Sequence, residues 1–244
     1  MNDLSLLDLF IFLTAAFAAS LVSGLAGFAF GIVAAGPWLY VLTPAQTTTL
    51  IVAFGLLIQG YSVWKLRAAI KPWRLLPFLV GSAIGVPLGV ELLHFVASRQ
   101  LRLVTGVVLI LFAAHGLFRP KLPEFKTSGV LADATVGLLG GVLGGATGLA
   151  GILVTIWSNL RAWPKDEQRA MFQPTGVATF AMIALWLGGT GTITRDAALW
   201  FVLGLPVVLA GMWTGLKLYG KLDDAGFRKV VLALLLVSGA SLAL

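Results

Sequence analysis

Apolar residues run along this chain in long blocks: 6–42, 47–64, 75–96, 101–118, 128–160, 170–189, 197–216 and 226–244, with short polar stretches between. Several blocks are near 20 residues, the length a helix needs to cross a bilayer's hydrocarbon core. The pattern therefore predicts transmembrane helices. Pro44, Pro72, Pro120 with Pro123, and Pro164 mark the connections, where proline is expected. Tryptophans at 38, 64, 73, 163 and 200 fall near block ends, the place of interfacial aromatic belts.

Two blocks carry internal interruptions. One is Ser23-Gly24-Leu25-Ala26-Gly27-Phe28-Ala29-Phe30-Gly31; the other is Gly144-Gly145-Ala146-Thr147-Gly148-Leu149-Ala150-Gly151. Glycine within a helix costs about 1 kcal/mol relative to alanine. Backbone released from a helix at membrane depth must find partners inside the protein or in a water-filled cavity. Each interruption is therefore expected to be a packing device or a ligand site. The two also match in register. At an offset of 120, Gly24 falls on Gly144, Gly31-Ile32 on Gly151-Ile152, and Pro44 on Pro164. Leu76-Pro77 matches Leu205-Pro206 at 129, and Arg102 matches Arg228 at 126. The ordered matches predict a duplicated unit, residues 1–126 and 127–244.

Composition agrees with a membrane protein. Of 244 residues, 59% are hydrophobic and 11% charged, against about 25% charged in soluble domains. The net charge of +7 does not indicate nucleic acid, because the basic residues sit in short loops. Without cysteine, disulfides, thiolate metal sites and cysteine nucleophiles are excluded. Met1-Asn2-Asp3 lacks a basic n-region, so the first helix is expected to be retained.

Charge also decides how the interrupted blocks cross. If each crosses once, lysine and arginine divide eight against nine between the two sides. If each enters and returns as a hairpin, the loops 65–74, 119–126, 161–169 and 217–229 share a side and hold 14 of them. Only Arg99, Arg102 and Arg195 remain opposite. The second arrangement obeys the positive-inside rule and the first does not. The expected fold is an all-α polytopic membrane protein of two inverted repeats. Each repeat is a glycine-broken hairpin, re-entrant or fully spanning, followed by three transmembrane helices. Its legs are expected to be 14–17 residues long. Both termini are then extracytoplasmic, in a bacterial-type inner membrane.

Inverted repeats with broken helices are the signature of secondary transporters. The second leg at each break begins with unpaired N–H groups and the positive end of a helix dipole. Two such ends facing one another would hold an anion without a buried cation. The residues expected at that site are Ser23, Gly24, Gly27, Gly31, Thr147, Gly148 and Gly151, with the amides of Gln59 and Gln173 behind them. Gly81-Ser82-Ala83-Ile84-Gly85 and Gly89, spaced by four, are expected to pack helices instead. Thr47-Thr48-Thr49 and Asn159 are expected in capping or solvated positions, and Glu91, His94 and His115 at the interface. Arg169 is placed to steer an anion at the cytoplasmic mouth. Asp133 either exchanges protons or pairs with Lys126 or another cytoplasmic cation. No metal or ATP motif occurs, so any pumping draws on a gradient, with H+ or Na+ the coupling ion, or on a separate subunit.

Three stretches carry a resemblance to the sulfite exporter TauE/SafE family. Ser23-Gly24-Leu25-Ala26-Gly27-Phe28 through Gly36-Pro37 is similar to the family's first glycine-rich motif. Gly140-Gly141-Val142-Leu143-Gly144-Gly145-Ala146-Thr147-Gly148-Leu149-Ala150-Gly151 resembles the second, of the form G-G-x-x-G-G-x-T-G-I-G-G-P. The segment 161–170 resembles the connection that follows. Here Leu149-Ala150-Gly151-Ile152 replaces I-G-G-P, and Ala29, Phe30 and Ala34-Ala35 stand where glycines are usual. The resemblance implies transport of sulfite, an organosulfonate or another sulfur-containing anion. The partners expected are this small anion and the lipid bilayer, with no cofactor and no enzymatic activity. A passive anion channel and a non-transporting membrane scaffold are the alternatives.

Overall fold

The structure is a computed structural model that describes residues 5–26, 29–66, 70, 72–95, 98–118, 129–161, 163 and 165–218, together with 236 and 240. These residues form helices and no strand. In order they are α1 (Leu6–Ala26), α2 (Phe30–Val41), α3 (Pro44–Leu66), α4 (Pro72–Phe95), α5 (Ser98–Phe118), α6 (Val130–Thr147), α7 (Ile152–Leu160), α8 (Lys165–Gly189) and α9 (Arg195–Leu218). Five stretches among them are long and apolar enough to cross a bilayer: Leu6–Leu25, Pro72–Leu92, Val130–Thr147, Ala170–Gly189 and Arg195–Leu218. The protein is an all-α polytopic membrane protein. The apolar block 226–244 lies outside the described residues, apart from 236 and 240.

Each interrupted block is a hairpin, but its legs are unequal. The first legs, α1 and α6, have 21 and 18 residues, and the second legs, α2 and α7, have 12 and 9. At 1.5 Å per residue the first legs are about 27–31 Å long and the second about 14–18 Å. This corrects the expectation of four similar legs. Apolar content runs unbroken through each block, so hydropathy does not show where the chain turns.

Contacts between loops show the hairpin directly. Arg74 Nη1 donates to Glu167 Oε2 at 3.1 Å, so the connections 65–74 and 161–169 lie at the same end of the molecule. A single crossing of 128–160 would place them at opposite ends.

Glycine packing orders the remaining helices. On α4, a methyl group at Gly81, Gly85 or Gly89 would strike the backbone carbonyl of Ala134, Leu138 or Val142 on α6. In return, Gly137, Gly141 and Gly145 of α6 lie against Phe78, Ser82 and Val86 of α4. The two helices run in the same direction with backbones in contact, the arrangement small residues permit in membranes. Likewise α9 lies on α1, with Gly211 against Phe17 and Gly215 against Leu21 and Gly24. The central pair, α3 and α8, runs antiparallel. The Phe180 ring lies over Gly55, and Gln59 Oε1 is 2.9 Å from where a Gly176 methyl would sit.

One large apolar core gathers around α1, α2, α3 and α9. Phe12 stacks on Trp38 at 4.9 Å between ring centroids and meets Trp200 at 4.6 Å, while Phe30 and Phe54 close in at 5.7 Å. Trp38 is fully buried and Trp200 nearly so, so neither belongs to an interfacial belt. Trp64 and Trp73 are exposed, as a belt requires. Thr47, Thr48 and Thr49 are likewise buried, not solvated. Thr48 Oγ1 donates to the Ala146 carbonyl of α6 at 3.4 Å, and Thr49 Oγ1 bonds back to Ala45 at 2.7 Å.

Candidate functional site

At the second break, α6 ends when the Gly148 N–H donates to the Gly144 carbonyl at 2.7 Å, with Gly148 left-handed at φ 75°. The Thr147 hydroxyl is occupied locally: it donates to Leu143 O at 2.7 Å and accepts from the Leu149 N–H at 3.2 Å. Gly151, at φ 85°, then turns the chain into α7, where the first intrahelical bond runs from Thr155 N to Gly151 O at 2.9 Å. The first break makes the same turn with alanine. Ala29 is left-handed at φ 81° and accepts the Val33 N–H at 3.1 Å as α2 begins. Residues 30–32 and 152–154 are thus first-turn positions, whose N–H groups find no carbonyl within their own helices.

The two breaks meet. A methyl at Gly31 would lie 3.4 Å from the Gly148 carbonyl oxygen. Ile51 of α3 fits between them, its Cγ2 2.7 Å from the Gly31 methyl position and 2.8 Å from that of Gly148. Beside this contact lies a cavity of about 30 Å³, room for about two waters at roughly 10–15 Å³ each. Both first turns line it, through Phe30, Gly31 and Ile32 on one side and Gly151 and Ile152 on the other. Gln59 of α3 and Thr155 of α7 add an amide and a hydroxyl, and Phe172 and Phe180 of α8 complete the wall. Among the described residues, no charged side chain lines the cavity. Its positive potential comes from two helix N-termini, each equivalent to about +0.5 charge.

Of the residues expected at the site, Gly31, Gln59, Gly148 and Gly151 come together here. Ser23, Gly24, Thr147 and Gln173 do not line the cavity. Gly24 lies 2.6 Å, measured from a built methyl, from the Met212 carbonyl of α9, which makes it a helix-packing glycine. Ser23 is buried on α1, and among the described residues its hydroxyl has no hydrogen-bond partner. Gln173 is buried on α8 beside Phe172. Gly27 lies outside the described residues, as do Lys126 and the side chains of His94, His115, Asn159 and Arg169. Asp133 is remote from the cavity, bonded to Arg161 Nη1 at 3.2 Å and to Trp157 Nε1 at 2.7 Å.

Sequence reasoning missed Thr155, Phe172 and Phe180. The last two had a usable signal: with Gly176 they form a 172/176/180 stripe spaced by four on α8. Thr155 is likewise four residues beyond Gly151, on the same helix face. Ala29 was singled out only as standing where glycine is usual, and glycine is the residue that a positive φ favours.

A polytopic helical protein with two helix breaks converging on a cavity has the build of a membrane transporter for a small solute. The family model described as sulfite exporter TauE/SafE matches residues 11–242, nearly the whole chain, and the protein belongs to that family. Membership makes it an integral membrane transporter of the sulfur-anion class rather than an enzyme. No curated protein and no solved structure matches the chain.

Proposed function

We propose that the protein is a secondary transporter that moves sulfite, an organosulfonate or another sulfur-containing anion through the cavity between the two breaks. One observation carries this reading: the first turns of α2 and α7, from separate hairpins, line the same small cavity. Their N–H groups and dipoles would hold the anion's oxygens, with the Gln59 amide as side-chain donor; the Thr155 hydroxyl donates to the Gly151 carbonyl at 2.9 Å.

Alternating access would come from rocking one repeat, 1–126, against an inverted second repeat, 127–244. The packing supports the duplication, with the closest helix contacts running between the two units. The first leg of each hairpin lies on the third helix after the break of the other unit: α1 on α9, and α6 on α4. The equivalent helices α3 and α8 cross antiparallel at the centre, as inversion requires. The 14-to-3 charge distribution supports a plasma membrane setting with both termini extracytoplasmic. Coupling to H+ or Na+ would supply the driving force, which an imposed pH or sodium gradient across proteoliposomes would separate.

The test is counterflow. Proteoliposomes loaded with unlabelled sulfite should transiently accumulate labelled sulfite above its external concentration. Purely dissipative flux would instead mean a channel, and no flux a scaffold. Gln59→Leu, which keeps shape and loses the amide, should weaken apparent affinity by about ten- to a hundredfold, the range for a hydrogen bond to a charged group. Unchanged affinity would remove Gln59 from the site.

A further inference from the structure

α7 has nine residues, fewer than the ~12–15 a helix needs to persist by itself. It nonetheless carries one of the two first turns that line the cavity. Its far end is tied to the start of α6 through one carboxylate. Arg161 Nη1 donates to Asp133 Oδ1 at 3.2 Å and Oδ2 at 3.4 Å, while Trp157 Nε1 donates to Oδ1 at 2.7 Å. Both charged side chains are mostly buried, 14% exposed for Asp133 and 18% for Arg161.

The tie continues outward. The Arg161 guanidinium lies 4.7 Å from the centroid of the Trp163 ring, and Arg74 of α4 lies 5.4 Å from the same ring. Arg74 is in turn bonded to Glu167 of α8. In the first hairpin, Trp38 of α2 donates instead to a backbone carbonyl of α1, Phe12 O, at 3.2 Å. The first hairpin is thus held by aromatic packing and the second by an ionic brace.

We propose that Asp133 is a positioning residue. By gripping Trp157 and Arg161, one helical turn apart, it fixes the orientation of α7 and thereby aims the N–H groups of residues 152–154 into the cavity. This role is one of orientation: Trp157 and Arg161 both donate to the carboxylate, which ties them to the start of α6. The inference rests on the cavity being the anion site, so its test separates the two ideas.

Hydrogen exchange in anion-free protein reports the position of α7, and the KM for sulfite in proteoliposomes reports the site. Asp133→Ala should speed exchange at residues 155–158, whose amides are hydrogen-bonded along α7, at least tenfold and raise KM by about as much. Asp133→Asn, which can still accept from Trp157, should give a smaller rise and leave the pH profile of transport unchanged. Should the alanine variant not accumulate, Trp157→Phe deletes one donor alone and should move exchange and KM in the same direction. Wild-type exchange in the variant that accumulates would overturn the brace. So would an altered pH profile in Asp133→Asn with exchange unchanged, which is the mark of a proton carrier. Faster exchange with unaltered KM would uphold the brace and overturn the anion site.

Discussion

Ala29 and Gly148 adopt nearly the same backbone conformation, φ 81° and ψ 3° against φ 75° and ψ 3°, with different side chains. A left-handed alanine costs about 1–3 kcal/mol, depending on how firmly its surroundings hold it. Ala29→Gly should therefore raise stability, by about 1 kcal/mol after the extra unfolded-state entropy of glycine is subtracted. A thermal shift in detergent reads this directly, and an unchanged or lower midpoint would mean the turn is not strained. Glycine runs made the second break legible from residues alone. The first was legible only in part, since its turning residue is an alanine. The cavity's aromatic wall was harder still, because in a membrane protein a buried phenylalanine looks like any other lipid-facing or core residue.

At the level of elements, glycines separate by what faces them. Gly85 of α4 meets the Leu138 carbonyl of α6, rigid backbone that cannot move aside, whereas a methyl at Gly60 would meet nothing within 4 Å. Gly85→Leu should abolish accumulation of folded protein. Gly60→Ala should be neutral or stabilising by up to about 1 kcal/mol, the helix-propensity difference. Monodisperse yield and melting temperature distinguish them, and a folded Gly85→Leu protein would contradict the packing of α4 on α6. The spacing of four at Gly81, Gly85 and Gly89 announced this role in advance. The stretch 137–145 hid it, because glycines facing α4 (Gly137, Gly141, Gly145) interleave with Gly140 and Gly144, which do not. Leg lengths were not legible either. The unbroken apolar blocks hide a turn that sits well past the middle of each hairpin.

For the whole molecule, lysine and arginine bear on sidedness without reference to packing, and the crossing they favour is open to a direct test. The chain has no cysteine, so single introduced thiols can map its sides. Trp73→Cys, at an 84% exposed position, should react with an impermeant reagent only from the cytoplasm. Gly189→Cys, at the opposite end of α8 from Glu167, should react only from outside. Labelling of both from one side would refute the hairpin crossing. The pairing of α1 with α9 and α6 with α4 was not legible, since nothing local distinguishes which glycine stripe meets which.

The central claim is that one anion sits where the first turns of α2 and α7 converge. Selenite, the heavier isostere of sulfite, makes it visible by anomalous diffraction from crystals soaked with the ion. The account predicts one selenium peak within hydrogen-bonding reach of the backbone nitrogens of residues 30–32 and 152–154, beside Gln59. A selenium peak elsewhere, for instance at the Arg74–Trp163–Arg161 cluster with the cavity empty, would contradict it.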